Sequence, residues 1–374
     1  MRVKNLFSRS FSNIFVLLNR RWAHKLLETI AITITQMNFK SLIFLLPKLA
    51  FSFGQVCVDE NDKACHLTDI NIGLEWFINP DHLPLIVAKS HGIFEELGLN
   101  VKLVEPKDHW EAEEEIIKGV LDIAVTEPLH LAQDAAKDKP VLGFSRFLHT
   151  DGGVLFDRSK GDIKRPSDMC GKTISYPGSP GRGGPAIVDT MVRADGKTDC
   201  DLDSYGKHNG GFFHTDALQS GAADVATLIF WNFEIPEARA KGMKDPAFFS
   251  LKEWGVPDFC QLVLMTTPNR YEALKPELRK MVLAMRKATG IIHQNPTLAR
   301  KYYYEYVKYD DSDDTQKSII DATFDSTLPA FPNDNNMSSE YYNHLMTWLA
   351  DTKQIDDEAK TIPVSKYWTN EVSW

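Results

Sequence analysis

The 374-residue sequence predicts an α/β protein. Three observations point there. From Asp69 onward short apolar runs alternate with amphipathic segments, the connections between them are only a few residues long, and apolar and charged residues stand at 43% and 25%, values typical of a packed globular chain. Strands alternating with helices at this spacing argue for mainly parallel sheets covered on both faces.

The first strand is read at residues 70–74, followed by an amphipathic segment at 82–96, Gly98, and a second strand at 100–104, a β-α-β unit. A helix at 110–118 leads to a strand at 121–125. A helix at 127–137, with Thr126 as its N-cap and Pro128 in its first turn, leads to a strand at 141–144. The polar, turn-rich stretch at 158–172 reads as a passage between two lobes. A second α/β unit follows: a strand at 173–176, a Gly/Pro loop, helices at 186–193 and 215–220, and strands at 224–229 and 261–266. Helices at 269–293, 296–308, 313–325 and 338–350 then return to the first lobe, so residues 69–160 and 268–374 form lobe 1 and 161–267 lobe 2.

Charge divides the chain unevenly. Residues 1–56 hold eight basic residues and one acid, which leaves the remainder with 34 basic and 50 acidic residues, a balance of −16. A basic, hydroxyl-rich N-terminus ahead of an acidic body reads as a targeting segment outside the fold. The apolar run at 41–53, ending in small residues, suits secretion, and the Arg- and Ser-rich first 25 residues suit mitochondrial import. The close pair Cys57 and Cys65 and the sequon at Asn336 favour the secretory route. At 13 residues, broken by Pro47 and Lys48, the apolar run is too short for stable membrane insertion, which takes about 20 residues. The net charge of −9 repels nucleic acid.

Candidate site residues cluster where strands end, because ligands of open α/β sheets bind beyond the carboxyl ends of strands. After the first strand, Trp76 offers a flat face, with Glu75, Asn79 and His82 to orient a ring. After the third come Thr126, Glu127 and His130. The loop holding Gly178, Ser179, Gly181, Arg182 and Gly183 precedes a helix, so bare N–H groups and a guanidinium would meet an anion there. Trp231 and Asn232, and Asp258 and Phe259, flank later strands and could line the same crevice. No nucleotide-binding glycine motif, no G-x-S-x-G elbow and no metal-ligand histidine spacing occurs.

The ordered blocks IGLEWFINPDHLPLIVAKSHGIFEELGLNVKLVEP, GVLDIAVTEPLHLAQDAAKDKPV, GKTISYPGSPGRGG and FCQLVLMTT resemble the thiamine-pyrimidine synthase-like group of two-lobed periplasmic-binding-protein folds over about residues 69–350. That group holds bacterial solute binders, the fungal synthase, and eukaryotic members of unknown ligand, to which this chain looks most similar. The resemblance implies an interlobe cleft for a small ring-bearing or anionic solute. It also implies departures from the synthase. The cofactor lysine position is Thr126, although His130 matches the donor histidine, and the cysteine-rich motif is reduced to Val256-Pro257-Asp258-Phe259-Cys260. No Schiff base forms on threonine. The expectation is therefore non-catalytic binding of a small polar heterocycle or organic anion, without cofactor or metal. The alternatives are an enzyme related to the synthase, or a secreted interaction protein with an empty cleft.

Overall fold

The computed structural model describes residues 67–106, 112–176, 183–308 and 314–373. The targeting segment, the Cys57 and Cys65 pair, and Gly178, Ser179, Gly181 and Arg182 lie outside the described residues.

Two five-stranded sheets organise the chain. In the first, β1 (Thr68–Gly73) pairs in parallel with β2 (Leu99–Val104) and β3 (Ile123–Thr126). Two antiparallel strands complete it, β10 (Gln261–Thr266) against β3 and β4 (Leu142–His149) against β10. The second sheet repeats the plan. There β6 (Thr173–Tyr176) lies parallel to β7 (Gly206–Asn209) and β8 (Val225–Phe230), and β5 (Gly152–Asp157) and β9 (Pro246–Ser250) are added antiparallel. Each lobe thus takes one strand from across the divide: β10 enters the first sheet after β9, and β5 enters the second after β4.

This exchange places the passages between sheets at residues 150–151 and just before Gln261, upstream of the polar stretch at 158–172 and of the 267–268 boundary. The polar stretch is instead a surface turn within the second lobe. It had the composition of a linker, whereas the real passages are pinned: Thr150 N–H donates to Cys260 O at 3.1 Å, and His149 Nε2 meets Asp258 Oδ2 at 2.8 Å. A Cβ on Gly152 would overlap Cys260 Sγ, so the chain needs glycine where the two passages touch.

The helices follow local rules. Pro80–His82 form a 3-10 turn capped by Asn79, whose side chain accepts from Asp81 N–H at 2.8 Å, ahead of α1 (Leu83–Ser90). Gly92, at φ +78°, separates α1 from α2 (Ile93–Glu96), so the amphipathic 82–96 segment is three short pieces. α3 (Ala112–Ile117) precedes β3. α4 (Pro128–Ala136) starts at Pro128 with Glu127 at the cap position, while Thr126 closes β3 rather than capping the helix. The second lobe carries α5 (Gly183–Ala194), α6 (His214–Ser220) and α7 (Trp231–Ala240). The C-terminal helices are α8 (Pro268–Gln294), α9 (Pro296–Val307), α10 (Asp314–Thr327) and α11 (Ser339–Asp351). α8, α9 and α11 pack on first-lobe helices, while α10 packs on α7 and on the 80–82 turn and so touches both lobes. Cys170 and Cys200 form a disulfide across 30 residues of the second lobe. Among the described residues, no helix is long and apolar enough to cross a membrane.

Candidate functional site

A cavity of about 170 Å³ lies between the sheets, with walls from both lobes. On the first-lobe side, β1 ends at Gly73 and delivers Glu75, Trp76 and Asp81 to it. His82 is fully buried behind this wall, and its Nε2 meets both Glu75 oxygens at 3.1 and 3.2 Å. Asn79 N–H donates to His82 Nδ1 at 3.3 Å, so the tautomer with its hydrogen on Nε2 satisfies both partners. Burial disfavours charge on this ring, Glu75 and Asp81 favour it, and the balance raises its pKa above the ordinary value. Asn79 and His82 therefore position Glu75 and do not themselves line the cavity. Asp81 lines it while buried, and burial pushes its carboxyl up to about 7.

Thr126, Glu127 and His130, at the β3–α4 junction, form the floor. His130 Nδ1 meets Glu127 Oε2 at 2.6 Å. Burial opposes its charge, but Glu127, Asp134 and Glu113 together raise its pKa. Asp134 is raised to about 6 by burial and by Glu113, against the pull of Lys139, which contacts both acids.

The second-lobe wall comes from the β7–α6 turn and the end of β8. In β8 the pairings Gly153 with Ile229 and Leu155 with Ala226 leave Thr227 and Leu228 opposite Val154 alone, a bulge in which Leu228 adopts φ +58°. Leu228 and Phe230 both line the cavity, and outliers of this kind concentrate at functional sites. His214 is buried with Nδ1 3.1 Å from Ser175 Oγ, and burial lowers its pKa to about 4, so a neutral imidazole faces the cavity. Glu234 is buried and accepts Phe230 N–H at 2.9 Å, and burial together with Glu237 raises its pKa well above the carboxylate range.

The seam between lobes is aromatic. Trp76 meets Phe77 and second-lobe Phe233 edge-on, both at 4.8 Å between centroids, with Phe212 at 6.3 Å. The expected open stacking face is thus engaged by other rings. The Trp76 Nε1–H, however, is buried at the cavity wall without a partner.

Of the residues expected at the site, Glu75, Trp76, Thr126, Glu127 and His130 line the cavity. Gly183 lies against the Tyr176 ring, where a Cβ would come within 2.7 Å of its hydroxyl. Asp258 pairs with His149, and Phe259 is buried beside Trp348, so neither reaches the cavity. Trp231 is exposed in a separate shallow groove between α7 and α10, because its side chain and that of neighbouring Asn232 leave the helix start in different directions. Asn232 is buried and bonded to Asp81. Sequence reasoning missed Asp81, Glu113, Asp134, His214 and Glu234. Asp81 and Glu234 each sat beside residues already singled out, but nothing local marks an acid as buried. Among the described residues, no group of His, Cys, Asp or Glu could hold a metal ion.

Two α/β lobes closed on one small cavity define the two-lobed periplasmic-binding-protein fold, and solved structures carry it. The alkanesulfonate-binding protein SsuA from Xanthomonas axonopodis pv. citri, bound to MOPS, matches with TM-score 0.61 at 13% identity, over 81% of this chain and 99% of that one. A Candida albicans protein described as having the generic periplasmic-binding-protein fold matches at 0.58 and 12%, over 81% and 97%. The chain matches the family described as NMT1/THI5 like over residues 79–299 and belongs to it. It is 28% identical to the formylaminopyrimidine-binding protein of Halalkalibacterium halodurans over 259 residues, 69% of this chain and 76% of that one. It is 26% identical to the 4-amino-5-hydroxymethyl-2-methylpyrimidine phosphate synthase of Aspergillus parasiticus over 254 residues, 65% and 70% of the two chains.

Proposed function

We propose that the protein reversibly binds a small, hydrogen-bond-donating heterocycle of the aminopyrimidine kind in the interlobe cavity, without turning it over. The observation that carries this reading is the composition of the walls. Six carboxyl side chains line the cavity together with His130, His214 and Lys137, and Trp76, also in the lining, has a buried Nε1–H without a partner. Such walls offer acceptors to exocyclic amino groups and donors to ring nitrogens, and they carry more acids than bases against a sulfonate or phosphate. Of the two ligand classes expected from sequence, the described walls thus favour the heterocycle over the organic anion. Size agrees, since an apolar cavity of roughly 150 Å³ holds one benzene ring. The printed names of the two relatives, one a pyrimidine binder and one a pyrimidine phosphate synthase, support the same ligand class. Thr126 at the position of the synthase lysine supports binding over catalysis. The Cys170–Cys200 disulfide supports an oxidising, extracytoplasmic setting.

Isothermal titration with a formylaminopyrimidine, with 4-amino-5-hydroxymethyl-2-methylpyrimidine and with an alkanesulfonate tests this. Saturable binding of either pyrimidine with unchanged ligand recovered is expected. Binding of the sulfonate alone would reverse the ligand assignment. Added pyridoxal phosphate should give no aldimine absorbance, and a band lost on borohydride reduction would favour the enzyme.

A further inference from the structure

Asp81 belongs to the first lobe, Asn232 opens α7 of the second, and Thr327 ends α10, which packs on both. Asn232 Nδ2 donates to Asp81 Oδ1 at 2.5 Å and to Thr327 Oγ1 at 2.8 Å. Ser326 Oγ donates to the Asn232 carbonyl at 2.5 Å, and Thr327 Oγ1 donates to Thr323 O at 2.7 Å. Asp81, Asn232 and Thr327 are each 1% exposed or less. They are sealed at the seam between lobes, next to the 150–151 passage, whose Asp151 O accepts Trp231 N–H at 3.0 Å, and Asp81 is at the same time part of the cavity wall.

We infer that Asp81, Asn232 and Thr327 form an interlobe latch that holds the lobes closed over the cavity and ties closure to protonation of Asp81. Asn232 and Thr327 are positioning residues: neither lines the cavity, and both act through Asp81. Parting the lobes returns water to Asp81 and removes the main cause of its raised pKa, which is burial. The closed form therefore holds the proton more tightly than the open one. Closure is favoured in acid and weakens by up to about tenfold per pH unit as pH rises from the ordinary carboxylate range toward about 7. The titratable groups facing Asp81 are Glu75 beyond β1, His82 in its own turn, Glu234 on α7 and Tyr303 on α9. Glu234 is raised by burial too and adds a dependence of the same sign, so the Asp81 share is read from a variant rather than from the profile alone.

In taking the cavity as a ligand site the inference rests on the proposed function, but its test uses no ligand, so the two fail separately. Small-angle X-ray scattering of the ligand-free protein at about pH 5 and about pH 8.5 reads closure as the radius of gyration. Wild type is expected to be more compact in acid, Asp81→Asn compact at both values, and Asn232→Ala expanded at both with native circular dichroism. Identical radii for wild type and Asn232→Ala at both pH values would overturn the latch. A pH response in Asp81→Asn as large as in wild type would overturn the role of Asp81. If Asn232→Ala does not fold, Thr327→Val, which keeps the volume and removes the bonds to Asn232 and to Thr323 O, decides: a wild-type radius at both pH values overturns the latch, and expansion supports it.

Discussion

Trp76→Phe separates two roles that one side chain combines. The ring meets Phe77 and Phe233 edge-on at 4.8 Å, and each such pair contributes about 0.5–1.5 kcal/mol beyond area burial. Phenylalanine keeps a ring in that seam. The indole Nε1–H has no partner, and a buried unsatisfied donor costs about 1–3 kcal/mol. Removing it should leave stability unchanged or raise it by about 1 kcal/mol, after some loss of packing to the smaller ring. If that donor reaches the ligand, the variant loses one hydrogen bond, about 0.5–1.5 kcal/mol, or up to about tenfold in affinity. Trp76→Ala removes the ring as well and should cost on the order of 3 kcal/mol in stability, at the low end of the range for a large-to-small change because the residue is only half-buried. Urea unfolding and titration with an aminopyrimidine on the same two variants test the reasoning. Unchanged affinity in Trp76→Phe refutes the contact from Nε1. A destabilisation by Trp76→Phe as large as by Trp76→Ala refutes the division between ring and donor.

Three further outcomes are expected. Replacing Cys170 and Cys200 by Ser opens a loop of 30 residues and should cost about 3–4 kcal/mol on chain-entropy grounds, measured by urea unfolding, whereas reducing agent should not destabilise the double variant further. Asp81 has a folded-state pKa raised to about 7, so its contribution is fully present below the unfolded carboxylate value and is lost as pH rises through about 7. Asp81→Asn should therefore match wild type near pH 4 and exceed it by up to about 4 kcal/mol near pH 8, and a pH-independent difference between the two contradicts this. Gly152→Ala pushes a methyl into Cys260 Sγ and should cost at least about 1–3 kcal/mol, part of which Cys260→Ala restores in the double variant; simple additivity would show that the two positions do not touch.

The strands read correctly were those whose side chains carry their own signal. β3, β8 and β10 are buried on both faces throughout, β1 and β2 alternate buried apolar residues with exposed or half-buried ones, and β6 and β10 have the bounds read from sequence. The polar edge strand β7 (GKHN) and the short edge strand β9 escaped notice, because their pairing is made by backbone groups that composition does not display. β5 escaped for another reason: it follows β4 after two residues, so the sheet change falls in a connection too short to mark a boundary.

The site divides in the same way. Residues placed by strand ends, Glu75, Trp76 and the β3–α4 group, were legible because topology sends such loops to the cleft. What tertiary contact alone creates was not. Asn79 and His82 were expected to hold the ligand, and the structure has them hold Glu75 instead. Asp81 and Glu234 look like surface acids in sequence and are buried beside one another's field. Burying two carboxyl groups at a seam raises the free energy of the closed form, and more so as they ionise. Their presence makes physical sense where something else supplies the missing donors, which in this protein are Asn232 from the opposite lobe and, in the proposed function, the amino groups of the bound ring. Both demands act on the same carboxyl at Asp81, so ligand occupancy, lobe closure and proton uptake should move together and not as three independent equilibria.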